Sequence, residues 1–218
     1  MANVKQQLDI PAIPNLGTSG IVYSQSLQNQ NNGLLRLFFT KLVNAIQSVI
    51  GPRGGKYLNN PYGAFQDSTD QTAASTTVAY PVTFNTTDFS NGVTIASNSR
   101  ITVAEAGIWN LQFSIQLKNT TNDGQDVDIW FRKNGTNIAN SNSRFHLVAR
   151  KGTGDPSHII ASLNFFVDMA ANDYVEIVWR TENTGVSIEH FDASTSPTRP
   201  EVPSAIATMS FVSNLPTL

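Results

Sequence analysis

The sequence predicts an all-β protein, a two-sheet β-sandwich that follows an extended N-terminal arm and one α-helix. Three observations predict it. Between residues 64 and 214, apolar and polar side chains alternate with the period of two that a half-buried strand requires. Turn residues interrupt this pattern at intervals of roughly 8–12 residues, with no helical period between them. The single strong helical stripe, residues 33–50, ends at Gly51-Pro52, which cannot continue a helix.

Residues 1–32 are polar, carry Pro11, Pro14, Gly17 and Gly20, and alone bury too little to fold. Leu8, Ile10, Ile13, Leu16, Ile21 and Val22 recur along the segment. They read as the anchors of a docking arm that orders against another subunit; a solvated tail is the plainer alternative. In the helix 33–50, Leu35, Phe39, Leu42, Ile46 and Val49 are spaced 4, 3, 4 and 3, an a/d seam. Asn31 or Asn32 is the expected cap. The stripe suits either packing on its own domain or packing on copies of itself, and we favour the second. Residues 51–63 are a linker by composition. Gly54, Gly55 and Lys56 do not make a phosphate loop, because Ile50 stands where its first Gly belongs and Tyr57 where its hydroxyl belongs.

The head, 64–214, opens with strands over Tyr80–Phe84 and Val93–Val103. Trp109, Leu111, Phe113, Ile115 and Leu117 then alternate with Asn110, Gln112, Ser114, Gln116 and Lys118. Val127, Ile129 and Phe131 repeat the pattern before the hairpin pair Asn134-Gly135. Further strands carry Ile159, Ala161, Leu163, Phe165 and Val167, then Val175, Ile177 and Trp179, then Val186 and Ile188. Residues 205–212 are apolar on both faces, as in a central or interface strand. The expected core is Trp109, Leu111, Phe113, Ile115, Ile129, Phe131, Leu163, Phe165, Val175, Ile177 and Trp179. Residues 215–218 are a tail.

Composition narrows the function. Only 14% of the 218 residues are charged, against about a quarter in an average domain. Asn, Gln, Ser and Thr replace them, 74 residues in all. The net charge of −2 gives no whole-chain electrostatic case for nucleic acid or an anionic membrane. Residues 1–60 carry five Lys/Arg and one Asp, so the negative charge lies in the head. Cysteine is absent, which removes disulfides, thiolate chemistry and cysteine-held metals. No apolar run reaches the length of a membrane span, and MANVKQQLDIPAIPNL lacks the apolar centre of a secretory signal.

No catalytic constellation stands out. His146, His158 and His190 are not at metal-ligand spacing, and each reads as an ordinary surface or interface residue. Asp123, Asp126 and Asp128 gather hard oxygens, but Asp128 alternates with Val127 and Ile129 on a strand and no chelating Glu follows. The nucleophile elbow G-x-S-x-G is missing. The expectation is a protein that is not an enzyme and holds no cofactor or metal.

GIWNLQFSIQL, preceded by ITVAEA, resembles the glycine–aromatic strand motif of the jelly-roll heads shared by the q subunit of the first complement component and tumour necrosis factor; the matching positions are Gly107, Trp109, Leu111 and Phe113. ANDYVEIVW, 171–179, resembles that family's late glycine-aspartate strand, with Asn172 in place of Gly. SAIATMSFVS, 204–213, is similar to the closing strand without its usual Phe and Gly. The chain more closely resembles jelly-roll proteins of tailed phages, through NNPYGAFQDSTDQTAA, YPVTFNTTDFSNGVTI, SRITVAEAGIWNLQFSIQL, VDIWFRKNGTNIANS and SPTRPEVPSAI. The resemblance implies a ten-strand jelly roll, a homotrimer about a threefold axis and a place on the virion. The expected role is a short fibre or appendage knob, joined to other virion proteins by its arm and contacting a host-surface glycan. A trimeric capsid decoration protein is the alternative, and a carbohydrate-binding module the next. No nucleic-acid partner or membrane insertion is expected.

Overall fold

The computed structural model describes residues 11–18, 20, 22–50 and 60–214, leaving aside the side chains of 48–50. The expected anchors Leu8, Ile10 and Ile21, the side chain of Val49, most of the linker and the tail lie outside the described residues. The chain divides into two compact units, Met1–Asn59 and Asn60–Leu218.

In the first unit the helix α1 runs Gln25–Ile50, eight residues longer at its start than the expected 33–50. The segment expected as an arm over 1–32 therefore ends before residue 25. Ser24 is the cap: its Oγ accepts the Leu27 N–H at 3.3 Å and its carbonyl the Gln28 N–H at 3.0 Å. Asn31 and Asn32, the expected caps, lie inside the helix. Asn31 uses its amide elsewhere: Oδ1 accepts the Gly17 N–H at 3.1 Å and Nδ2 donates to the Gly17 carbonyl at 2.9 Å. Engaged in this way, it no longer competes with the helix backbone.

The second unit is all-β. Its strands are β1 (Tyr62–Asp67), β2 (Gln71–Thr72), β3 (Tyr80–Pro81), β4 (Thr86–Asn91), β5 (Val93–Ala96) and β6 (Arg100–Val103). The chain continues through β7 (Gly107–Asn119), β8 (Gln125–Lys133), β9 (Thr136–Asn137), β10 (Ser143–Leu147) and β11 (Ser157–Met169). It closes with β12 (Tyr174–Thr181), β13 (Val186–Ile188), β14 (Ser194–Thr195), β15 (Thr198–Arg199) and β16 (Ala205–Ser213). The head begins at Tyr62 rather than 64, because Tyr62 and Gly63 already pair with Asn91 and Ser90. β4 is a strand the alternation rule misses: five of its six residues are exposed, so neither face is apolar.

Two antiparallel sheets pack as a sandwich. The first runs β4–β1–β16–β7–β11, with β13 and β2 continuing beside β7. The second runs β5–β6–β12–β8–β10, with β3 beside β12 and β9 beside β8. β7 pairs with β11 over its full length, with β16 from Ile108 to Ile115 and with β13 from Leu117 to Asn119. The expected strand over Tyr80–Phe84 is regular only at Tyr80–Pro81. Beyond it the Gln71 side chain takes over a ladder's task, accepting the Thr83 N–H at 2.9 Å and donating to the Thr83 carbonyl at 3.1 Å.

Trp109, Leu111, Phe113 and Ile115 of β7 meet Ile129 and Phe131 of β8 and Val175, Ile177 and Trp179 of β12 in one buried cluster. Leu163 and Phe165, expected as core, are half-buried and pack against it, since β11 is the edge of its sheet. The Phe165 ring stacks on Phe131 at 4.7 Å. Gly107 is required where it stands: a Cβ there would meet the Phe211 ring at 2.4 Å. Asn134 and Gly135, at φ 49 and 82, make the left-handed turn that joins β8 to β9. Trp109→Ala removes one of the two tryptophans of this cluster and is expected to cost about 3–5 kcal/mol, read as a lower melting temperature and denaturant midpoint.

Candidate functional site

The two sheets present chemically different outer faces. On the first, the outward residues of β7 are Asn110, Gln112, Ser114 and Gln116. Register sets Asn110 between Phe166 and Ser210, Gln112 between Asn164 and Thr208, and Ser114 between Ser162 and Ile206. These positions carry no Asp, Glu, Lys or Arg. Along β7, β11 and β16 charge returns only at the ends, with Lys118 and His158 at one and Asp168 at the other; farther out, Asp88 of β4 accepts the Gln66 amide. Apolar side chains stand open on this face, Ile160 at 57% and Phe166 at 58%, with Ile206 and Val212 also exposed.

The outer face of the second sheet is built from ion pairs. Asp128 on β8 takes Nε and Nη2 of its cross-strand neighbour Arg144 at 2.9 and 3.1 Å. That guanidinium holds the Asp128 carboxyl below the usual carboxylate range, against the opposing effect of burial; Asn142 and Arg180 assist. Glu176 on β12 is buried, accepts the Ser99 hydroxyl at 2.9 Å and lies 3.8 Å from both Arg100 and Arg132. Antiparallel pairing brings opposite charges together here, across β8 and β12 as well as β8 and β10.

The three histidines, isolated in the sequence, each face a carboxylate. His146 Nδ1 lies 2.7 Å from Asp126 and His190 Nε2 3.5 Å from Glu201. His158 Nε2 lies 2.7 Å from Glu189, which Lys118 also grips. No sequence signal gave these pairings, since Glu189 lies 31 residues from His158. Asp123 contributes its backbone carbonyl to Asn119 and Thr121, while the carboxylates of Asp126 and Asp128 are committed to His146 and Arg144. Among the described residues no three His, Asp or Glu converge as metal ligands.

The first unit offers surface of another kind. No described residue of α1 is buried. Of the expected seam, Leu35 and Leu42 are half-buried while Phe39 and Ile46 are about half exposed; Leu37 and Val43 beside them are open too. In the arm, Ile13 is 89% and Val22 80% exposed, with Leu16 less so. No helix of the described residues is long and apolar enough to cross a membrane.

The described residues present three surfaces: the uncharged face of β7, β11 and β16, the ion-paired face of the second sheet and the apolar stripe of α1. No protein-family model matches the chain, and no curated protein matches it. The Asp128–Arg144 pair gives a pH signature. A lowered folded-state carboxyl contributes stability above the unfolded pKa of about 3.9 and loses it as pH falls through the folded value. The stability gap between wild type and Arg144→Gln should therefore be constant near neutrality and shrink below about pH 4, followed by urea denaturation across pH.

Proposed function

We propose that the protein is a non-enzymatic structural component of a tailed-phage virion, a trimeric short fibre or appendage knob. Its N-terminal arm joins it to other virion proteins and its head faces the host surface. The carrying observation is the uncharged outer face of β7, β11 and β16, with Ile160, Phe166 and Ile206 open upon it. Charge depletion with exposed aromatic and aliphatic groups is the composition of an interface core. Copies of this face can meet without opposing like charges. The open Phe39 and Ile46 of α1 supply a second surface for the same association.

Strand order supports a ten-strand jelly-roll reading of the head. After β6 in the second sheet the main strands pass to the first (β7), the second (β8, β10), the first (β11), the second (β12) and finally the first (β16). The wealth of Asn, Gln, Ser and Thr suits a particle surface that stays dispersed across a wide range of salt, because neutral polar groups are not screened.

Light scattering of the purified chain should give three times its 23.7 kDa mass. Leu42→Asp combined with Ile46→Asp, and separately Phe166→Glu combined with Ile206→Glu, should lower that mass. A wild-type monomer would overturn the assembly reading. Copy counting by mass spectrometry of purified particles separates the fibre, at tens of copies, from a decoration protein, at hundreds.

A further inference from the structure

Of the three tryptophans, two belong to the core and the third does not. Trp109 and Trp179 are buried in the sandwich. Trp130 points outward from β8, partly exposed, in the middle of the ion-paired face. It is held fast: its Nε1 donates to Asn137 Oδ1 at 2.9 Å, and its cross-strand partner Val178 is fully buried on that same outward side. The indole plate is thus fixed at its Nε1 edge beside a buried neighbour, not a loose surface side chain.

The neighbours of this plate are arranged almost symmetrically. Along β8 it is flanked by Asp128 and Arg132; on β12, Val178 is flanked by Glu176 and Arg180. Each side of the plate therefore carries one carboxylate and one guanidinium, Asp128 with Arg180 and Arg132 with Glu176. Neither guanidinium is strongly bonded. Arg132 reaches Glu176 at 3.8 Å. Arg180 lies 3.6 Å from Asp128 and 3.5 Å from Glu182, and its buried Nε has no hydrogen-bond partner. Arg144, in contrast, holds Asp128 through two hydrogen bonds and lies 3.6 Å from Asp126.

We propose that Trp130, with Arg132 and Arg180 beside it, binds a neutral saccharide ring. The apolar C–H face of a sugar packs flat on an indole. Its hydroxyls each donate once and accept twice, which suits a rim where carboxylates and guanidiniums alternate. A nucleic acid fits less well, because the acidic side chains cancel the positive field that phosphates need. The site lies on the second sheet, apart from the proposed assembly face, and its test reads sugar binding where the assembly test reads mass.

The full-length protein is titrated with neutral hexose oligosaccharides of glucose, galactose and mannose type, with uronic-acid oligosaccharides, and with a single-stranded oligonucleotide. Calorimetry and indole fluorescence are the readouts. At least one neutral oligosaccharide should bind, with an affinity unchanged by added salt. Trp130→Ala should weaken it by about tenfold or more, Trp130→Phe by less, and Arg132→Gln or Arg180→Gln by an intermediate factor, all at unchanged oligomer mass. Absence of neutral saccharide binding overturns the proposal. So does binding that Trp130→Ala leaves intact, or binding confined to the uronic acids or the oligonucleotide.

Discussion

The second unit depends on one constraint, the unbroken alternation of side chains along β7. From Gly107 to Asn119 every odd-numbered residue is buried, while the even-numbered ones face outward. A shift of one residue in either neighbouring ladder would turn the whole apolar row into solvent. Three strands take their register from this one: β11 on one edge, β16 and β13 in line on the other. Both ends of β7 are fixed by chemistry rather than by length. At Gly107 the missing side chain admits the Phe211 ring. At Asn119 a buried amide donates to the Asp123 and Val148 carbonyls and accepts from the Thr121 N–H and hydroxyl. One side chain thus closes two loops onto the end of the strand without leaving a buried polar atom of its own unmet.

The low charge of the chain takes on meaning through its placement. Spread evenly, 14% charged residues would simply make a weakly charged surface. Instead the outward positions of β8, β10 and β12 concentrate Asp126, Asp128, Arg132, Arg144, Glu176 and Arg180. The antiparallel registers turn them into pairs, which lets Asp128 and Glu176 be buried at tolerable cost. The outward positions of β7, β11 and β16 receive amides and hydroxyls instead. The division is visible only once the registers are known, because along the chain the charged and uncharged strands are interleaved.

What the sequence made legible follows the same logic. β7, β8 and β12 could be read directly, since each carries an apolar row at every second position, although Asp128, Glu176 and Val178 are buried on the other side as well. β4 could not: Thr86, Thr87, Asp88 and Ser90 form no apolar row, and the strand exists because β1 supplies backbone partners. The start of α1 is hidden by Asn29, Asn31, Asn32 and Gly33, poor helix formers; a single serine cap and the Asn31–Gly17 clamp carry it back to residue 25. Leu163 and Phe165 have the alternation of core residues but are half-buried, because alternation reports which face a residue takes, not whether its strand is central or peripheral. The carboxylates beside the histidines and the frame around Trp130 come from distant strands, so no spacing rule reaches them.

The edges of the sheets decide how the proposed assembly is to be understood. A long, regular edge strand offers unpaired backbone to any other strand, and folded proteins guard such edges. Of the edges at β4, β5, β10 and β11, three are guarded. β4 is short and its ladder shifts at Ala64/Phe65, β5 has four residues, and β10 carries Arg144 and His146. β11 differs on each count. It is thirteen residues long, its ladder with β7 has no irregularity, and between His158 and Asp168 it holds no charge and no proline. Its inward Leu163 and Phe165 are only half covered, and Ile160 and Phe166 stand open on its other side. An edge with apolar groups on both sides and no guard invites pairing with another strand. In the proposed assembly a second copy of the same chain covers it, because the uncharged face that continues from this edge across β7 and β16 would set no like charges against each other.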